Sequence, residues 1–236
     1  MAELTGLRKG TLFRNKNGLI PIEKNGVVAF YPIQNGSGST IYDESRNNRN
    51  ANTQGGSWAT APWGQAWDYG NNNSGNYIDT GYNAGDLGIG GDNPRTIVSW
   101  FYQYTNDTSS SGGNAGIWQV GSTGTNNEDY SLRQLSQTSN QFRVQLWGSN
   151  DQDFTYGSTD QWIMGTLRGG NGSITCFMDD NEKASTSVNL NTTNGNNLKF
   201  GVWQSDYLNG IAGPSFVYNR KLSNQEIINI YNKTKP

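Results

Sequence analysis

Histidine is absent from the 236-residue chain, and cysteine occurs once, as Cys176. Together these exclude His–Cys zinc sites, Ser–His and Cys–His nucleophile pairs, and an internal disulfide. In the run "SITCFMDD", Cys176 reads as a small buried side chain. Charge is also scarce. Only 15% of residues are Asp, Glu, Lys or Arg, with a net charge of −2, and the Lys and Arg are scattered, so no basic face for nucleic acid is expected. No apolar run approaches the length of a membrane-spanning helix. The opening "MAELTGLRKGTLF" lacks the apolar region of a secretory leader, so synthesis in a cytoplasm is expected. Asn-X-Ser/Thr triplets such as Asn106-Asp107-Thr108 arise by chance in so Asn-rich a chain and are given no role.

Hydrophobic residues make up only 33% of the chain, but eight of them are Trp, so a core can be built from a few bulky rings among small residues. The dominant pattern is alternation. "VVAFYP" (27–32), "TIVSWFYQY" (96–104), "GIWQV" (116–120), "FRVQLW" (142–147), "QWIMGTLR" (161–168), "SITCFM" (173–178), "LKFGVW" (198–203) and "SFVYN" (215–219) read as strands. In "FRVQLW", Phe142, Val144 and Leu146 share one face while Arg143 and Gln145 face water. Many short strands without long intervening helices predict two antiparallel sheets packed face to face. Residues 33–95 read as loop-rich, apart from the aromatic cluster "WATAPWGQAWDYG", where Trp67 and Tyr69 share one strand face and read as core.

Both ends of the chain differ from this pattern. In "TLFRNKNGLIPI", Asn17-Gly18 between two strand-like arms predicts a hairpin. Residues 1–26 are therefore expected to form an N-terminal arm, with 27–236 as the sandwich. Its positive and apolar residues, including Arg8, Lys9, Phe13 and Arg14, suit it either to attachment on a neighbouring sheet or to covering one end of its own sandwich. At the other end, Ser223 with Glu226 three residues later has capping-box spacing, and Leu222 and Ile227 form a hydrophobic staple. Ile227, Ile228, Ile230 and Tyr231 then make the apolar face of one short helix.

The ordered segments "VVAFYPIQNGSGSTIYDESRNNRN", "GQAWDYGNNNSGNYIDTG", "PRTIVSWFYQ", "CFMDDNEKAS" and "LNGIAGPSFVYNRKLSNQEIINIYNKTK" resemble the laminin-G-like, concanavalin A-like lectin/glucanase jelly rolls over about residues 27–235. The ending looks most like versions carried on tailed-bacteriophage particles. The resemblance implies an all-β antiparallel sandwich closed by a C-terminal helix that covers a sheet edge or its rim. It further implies a non-enzymatic virion surface protein that serves as capsid decoration, head fibre or adsorption component, the alternatives being a polysaccharide-degrading enzyme of the same fold or a carbohydrate-binding module of a bacterial surface protein. The partners it implies are capsid or tail proteins, a host-surface polysaccharide and further copies of the chain, with neither nucleic acid nor membrane insertion.

Three chemistries compete with a purely structural reading. Retaining glycosidases need two carboxyl groups about 5–5.5 Å apart, which residues two apart on one strand can supply. None of Glu3, Glu23, Glu44, Glu128, Glu182 and Glu226 stands in that arrangement, and Asp151-Gln152-Asp153 reads as a solvated loop. Asp179-Asp180-Asn181 reads as a hairpin tip. A structural Ca2+ is the one cofactor the resemblance admits. Asp43 matches an acidic family position, and Asp86 and Asp92 in "GDLGIGGDN" could add carboxylates, whereas Ala212, Gly213 and Pro214 replace the family's acidic partners. Glycan binding needs exposed rings among hydrogen-bonding side chains. Trp58 and Trp63 flank Ala-Thr-Ala-Pro as loop residues, and Trp147 and Trp203 end strands where they could line a rim. Packing competes with binding at each of the four, because aromatic residues dominate cores.

Overall fold

The computed structural model describes residues 24–70, 75–104, 114–135, 140–157 and 160–236, together with the backbone of 12–15 and 18–21. In chain order the strands begin with β1 (Leu12–Asn15), β2 (Gly18–Pro21), β3 (Val27–Tyr31), β4 (Thr40–Ile41) and β5 (Ala51–Gln54). Next come β6 (Ser57–Ala61), β7 (Gly64–Gly70), β8 (Tyr77–Asp79), β9 (Arg95–Gln103) and β10 (Asn114–Gln119). They continue with β11 (Ser131–Leu135), β12 (Gln141–Gln145), β13 (Gln152–Thr155), β14 (Trp162–Gly170) and β15 (Ser173–Met178). The last are β16 (Asn181–Ser187), β17 (Lys199–Phe200), β18 (Val202–Trp203), β19 (Asp206–Tyr207) and β20 (Gly210–Tyr218), followed by helix α1 (Asn224–Thr234).

Two large antiparallel sheets form the expected sandwich. The front sheet runs β13-β12-β11-β10-β17-β8-β5-β4, and the back sheet runs β16-β15-β14-β9-β20-β7-β6 with β3 also paired to β20. Between them lie Trp118, Leu132, Phe142 and Phe200 from the front and Tyr69, Ile97, Phe101 and Leu167 from the back. Gly165 makes room for this packing, since a Cβ there would sit 2.7 Å from Leu132 and 3.3 Å from a Trp118 ring carbon. Cys176 is buried in β15. The five strands β4–β8 correct the reading of residues 33–95 as loop-rich: their Gly, Asn and Asp pair through the backbone despite weak strand propensity.

β20 changes neighbours along its length. Gly210–Ala212 pair with β7, Ser215–Tyr218 pair with β3, and β9 lies along the opposite side. Pro214, which has no N–H, sits in the irregularity between Ala212 and Ser215 where the exchange occurs.

Helix α1 begins as expected. The Ser223 side chain accepts from the Glu226 N–H, and the Glu226 carboxylate accepts from the Ser223 N–H. Its position is a correction to the sequence reading, because it lies over the outer face of the back sheet rather than along an edge. Ile227 and Ile230 pack with Phe30, Val98, Trp100, Phe216 and Tyr218, side chains that point away from the inter-sheet core. The back sheet is therefore buried on both faces. Ile228 and Tyr231 are only partly buried, while Thr234 is fully covered and accepts a hydrogen bond from Trp100 Nε1 at 2.8 Å through its hydroxyl.

At the other end, β1 and β2 form the expected antiparallel hairpin with Asn15 opposite Gly18. That register places Gly18 inside β2, while Lys16 and Asn17 lie outside the described residues. Arg8 and Lys9 lie outside the described residues, and Phe13 and Arg14 are described as backbone on β1.

Candidate functional site

The outer face of the front sheet gathers the most unusual polar chemistry in the molecule. On β11, inward Leu132 is followed by outward Arg133, which lies directly opposite Arg143 on β12. Like charges so placed repel, and carboxylates answer them. Asp153 on β13 lies opposite Arg143 and holds its guanidinium in a two-point pair, with Nη2 donating to Oδ2 at 2.7 Å. Asp151 Oδ2 adds a contact at 3.7 Å, accepts from Gln145 Nε2 at 2.6 Å, and its Oδ1 accepts from the Leu146 N–H. Asp153 is thereby held below its ordinary carboxylate range by the bond from Arg143. The pair read as a solvated loop instead flanks one arginine, with Asp153 on an ordered edge strand.

Above this face stands the β18–β19 hairpin. Gly201, with φ +82°, breaks the run 198–203 into two strands, since a Cβ there would lie 2.4 Å from the Tyr69 ring. The chain turns outward, crosses over β10 at Gly116 and returns at Leu208, whose N–H donates to the Gly201 carbonyl at 2.9 Å. Trp203 is thereby laid over Arg133, whose guanidinium carbon is 3.9 Å from the indole centroid. Trp203 Nε1 donates to Asp129 Oδ2 at 2.8 Å, and the Ser131 hydroxyl donates to the other oxygen of that carboxylate. Trp147 then packs on Trp203, with ring centroids 5.9 Å apart and planes 30° apart. Trp147 itself has φ +63°, a conformation uncommon for a bulky residue.

Four buried polar atoms in this patch lack a protein partner: Arg133 Nε and Nη1, Gln119 Nε2 and Gln145 Oε1. Native interiors rarely leave such groups unpaired, and their concentration here marks the layer beneath the hairpin as a place for enclosed bridging water. Burial lowers Arg133 to about 10, with Arg143 adding to the effect, so it remains a cation at neutral pH. Burial pushes Asp129 up to about 7, against the opposing bonds from Ser131 and Trp203 and the charge of Arg133.

The raised Asp129 has a consequence for stability. Its folded-state value exceeds the unfolded one of about 3.9, so the folded chain holds the extra proton between about pH 4 and 7. Stability from this group is therefore present at low pH, falls as pH rises through that window, and is level above it. The full effect has an upper bound on the order of 4 kcal/mol. Asp179, also raised by burial, acts in the same direction. Urea unfolding at pH 5 and pH 8 should show Asp129→Asn losing less stability between the two than the parent. Parallel profiles would show that Asp129 stays ionised.

The four tryptophans named from the sequence separate. Trp147 and Trp203 come together at this face. Trp58 is half-buried on β6 of the other sheet, edge-on to Trp67 at 5.1 Å, with Nε1 donating to the Gly38 carbonyl. Trp63 is a correction: it is 3% exposed beneath the end of α1, against Trp100 and Trp162, with Nε1 donating to the Thr234 carbonyl at 2.7 Å. A polar, Pro-bounded sequence concealed a ring that closes the outer layer of the core.

The acidic residues named for a metal are used at separate turns. Asp43 accepts from the N–H groups of Phe30, Ser45 and Arg49 and from the Ser45 hydroxyl. Asp92 accepts from the N–H groups of Leu190 and Gly172, and Asp86 from that of Asn83. Among the described residues, no group of three or more His, Cys, Asp or Glu is arranged to hold a metal ion.

Sequence reading missed Arg133, Asp129, Gln119 and Gln145 as a group. The available signal was "SLRQL" beside "FRVQLW", two segments whose arginines meet only once the strands pair.

No protein-family model matches the sequence, and no curated protein does. Solved structures share its fold. Trypanosoma rangeli sialidase in complex with sialic acid superposes with a TM-score of 0.66 at 14% identity, over 90% of this chain and 33% of the sialidase chain. A mutant of that sialidase displaying trans-sialidase activity gives 0.67 at 14% identity, over 94% and 36%. The binding domain of botulinum neurotoxin serotype D/C VPI 5993 gives 0.61 at 13% identity, over 89% and 52%. The chain thus spans about a third of the sialidase chains and about half of the toxin chain. At such identities the likeness is one of fold, an all-β sandwich.

Proposed function

We propose that the chain is a non-enzymatic, lectin-like module that binds a glycan on the outer face of its front sheet. The observation that carries this reading is the half-buried Trp147 ring, packed on buried Trp203 at the rim of a polar sheet face. A ring of this kind receives the C–H face of a sugar, and exposed amide side chains beside it, such as Gln204, address its hydroxyls. The fold-level likeness to a sialidase and to a toxin binding domain agrees with a carbohydrate role. The acids of the face serve other purposes, Asp151 and Asp153 at Arg143 and Asp129 beneath Trp203, which favours binding over hydrolysis. Display on a virion surface rests on the sequence resemblance, attachment through residues 1–26 rests on their positive and apolar side chains, and host adsorption is the role such display would serve.

Trp147→Ala removes the more accessible ring of the pair. Retention on host-surface polysaccharide in affinity electrophoresis should fall about tenfold, equivalent to roughly 1.4 kcal/mol, with the melting temperature little changed. Equal retention by variant and parent would remove this face as the binding site.

A further inference from the structure

The β18–β19 hairpin divides the outer face in two. Its cross-strand pairs are Trp203 with Asp206 and Val202 with Tyr207, so successive pairs point to opposite sides of the hairpin. On one side Trp203 meets Trp147. On the other, Tyr207 meets Tyr77 of β8 at 6.1 Å, again with planes 30° apart. Lys199 Nζ lies over the Tyr77 ring at 5.1 Å and 4.0 Å from Asp79 Oδ2. Both ring pairs therefore belong to one sheet face. β11, under Trp203, and β8 are separated by β10 and β17, three strand spacings or about 14 Å. That distance exceeds one sugar and suits a short stretch of polysaccharide. Between the two pairs the Gln204 N–H donates to Gln119 Oε1, which fixes the hairpin turn to β10.

The charges on the face narrow the ligand further. Its cations among the described residues are Arg133, Arg143 and Lys199, and each is already answered. Asp153 and Asp151 hold Arg143, Asp79 attends Lys199, and Asp129, Asp151 and Asp206 act on Arg133. Three cations against five carboxylates leave a formal charge of −2 when Asp129 is ionised, so an anionic sugar meets repulsion. Hydroxyls, which both donate and accept, suit a face where cationic donors already sit beside carboxylate acceptors, whereas a carboxylate only accepts.

Resting on the glycan-binding reading above, we infer that the ligand is an uncharged polysaccharide lying across the hairpin, with Trp147–Trp203 and Tyr77–Tyr207 as its two platforms. Sialylated and uronate-containing chains are refused. Binding therefore differs in chemistry from that of the sialidase whose structure holds sialic acid, although the fold is shared.

Calorimetric titration of the full chain tests this. The probes are the dimers and hexamers of β-1,4-glucose, α-1,4-glucose and β-1,4-N-acetylglucosamine, with oligosialic acid and oligogalacturonate as the acidic set. At least one neutral series should bind at least tenfold more tightly as hexamer than as dimer, and the acidic set should not bind at low salt. Tyr77→Ala should weaken the hexamer about tenfold and leave the dimer unchanged, while Trp147→Ala weakens both. Tyr207→Ala supplies the same comparison if Tyr77→Ala does not melt cooperatively. Acidic oligomers binding as tightly as neutral ones, or a hexamer indifferent to both tyrosines, overturns the inference. Loss of binding in Trp147→Ala under those outcomes leaves the glycan-binding reading standing. Absence of binding to every probe, neutral and acidic, overturns both.

Discussion

Trp63→Ala should lower folding stability by about 3–5 kcal/mol, among the larger effects available to a single substitution in this chain. The ring fills the space between Trp100, Trp162 and the end of α1, and its truncation leaves a cavity that three large neighbours cannot readily close. The Thr234 carbonyl also loses its donor at a buried position. For a chain of this length the melting temperature should fall by roughly 10 °C or more. Trp58→Ala is the internal comparison, since Trp58 is half-buried at the end of a sheet and should cost much less. A Trp63→Ala protein melting within 2 °C of the parent would show that α1 is not anchored through this ring.

Gly116→Ala should disable the front face. An added Cβ would lie 2.0 Å from the Val202 carbonyl carbon and 2.1 Å from the Trp203 nitrogen. Both are backbone atoms, so no change of rotamer relieves the overlap and the hairpin must rise from the sheet. Trp203 would then leave Arg133 and Asp129 together, and glycan retention should fall more than tenfold. Near-ultraviolet circular dichroism should lose the signal of the Trp147–Trp203 pair while the far-ultraviolet β signature persists. A spectrum unchanged in the near-ultraviolet would mean that the backbone yields elsewhere.

The most legible parts of the chain were those governed by local chemistry. Ser223 and Glu226 announce α1 because a capping box needs only residues three apart. The strands rich in Val, Ile and aromatic residues were equally plain. β11 and β13 were not, because "SLRQL" and "QDFT" carry few β-branched side chains and owe their form to β10 and β12 beside them. For the same reason the Arg133–Arg143–Asp153 row is invisible until pairing brings residues up to 20 positions apart side by side. The resemblance implies a helix over a sheet edge or its rim, but the strands beneath it carry a different signal. "SFVY" and "TIVSWF" are nearly continuous in apolar character, which is the mark of strands covered on both sides. The tryptophans illustrate the same limit. Trp63 and Trp203 sit in similar polar surroundings in sequence, yet one seals a core and the other roofs a polar face.

The position of β20 has a consequence for how the protein is made. This strand lies between β9 on one side and β7 and β3 on the other, yet it follows all of them in the chain. A ribosome therefore delivers the middle of the back sheet after its flanks, and until then β9, β7 and β3 each present an unfilled edge. β3 must wait about 190 residues for its partner, and Trp63 waits 171 for the carbonyl of Thr234. Nascent chains would spend most of their synthesis with apolar strand edges uncovered, the condition in which holding chaperones act and in which crowded expression favours inclusion bodies. Slowing translation would prolong that exposure rather than shorten it, because the missing strand has to be synthesised before the sheet can close.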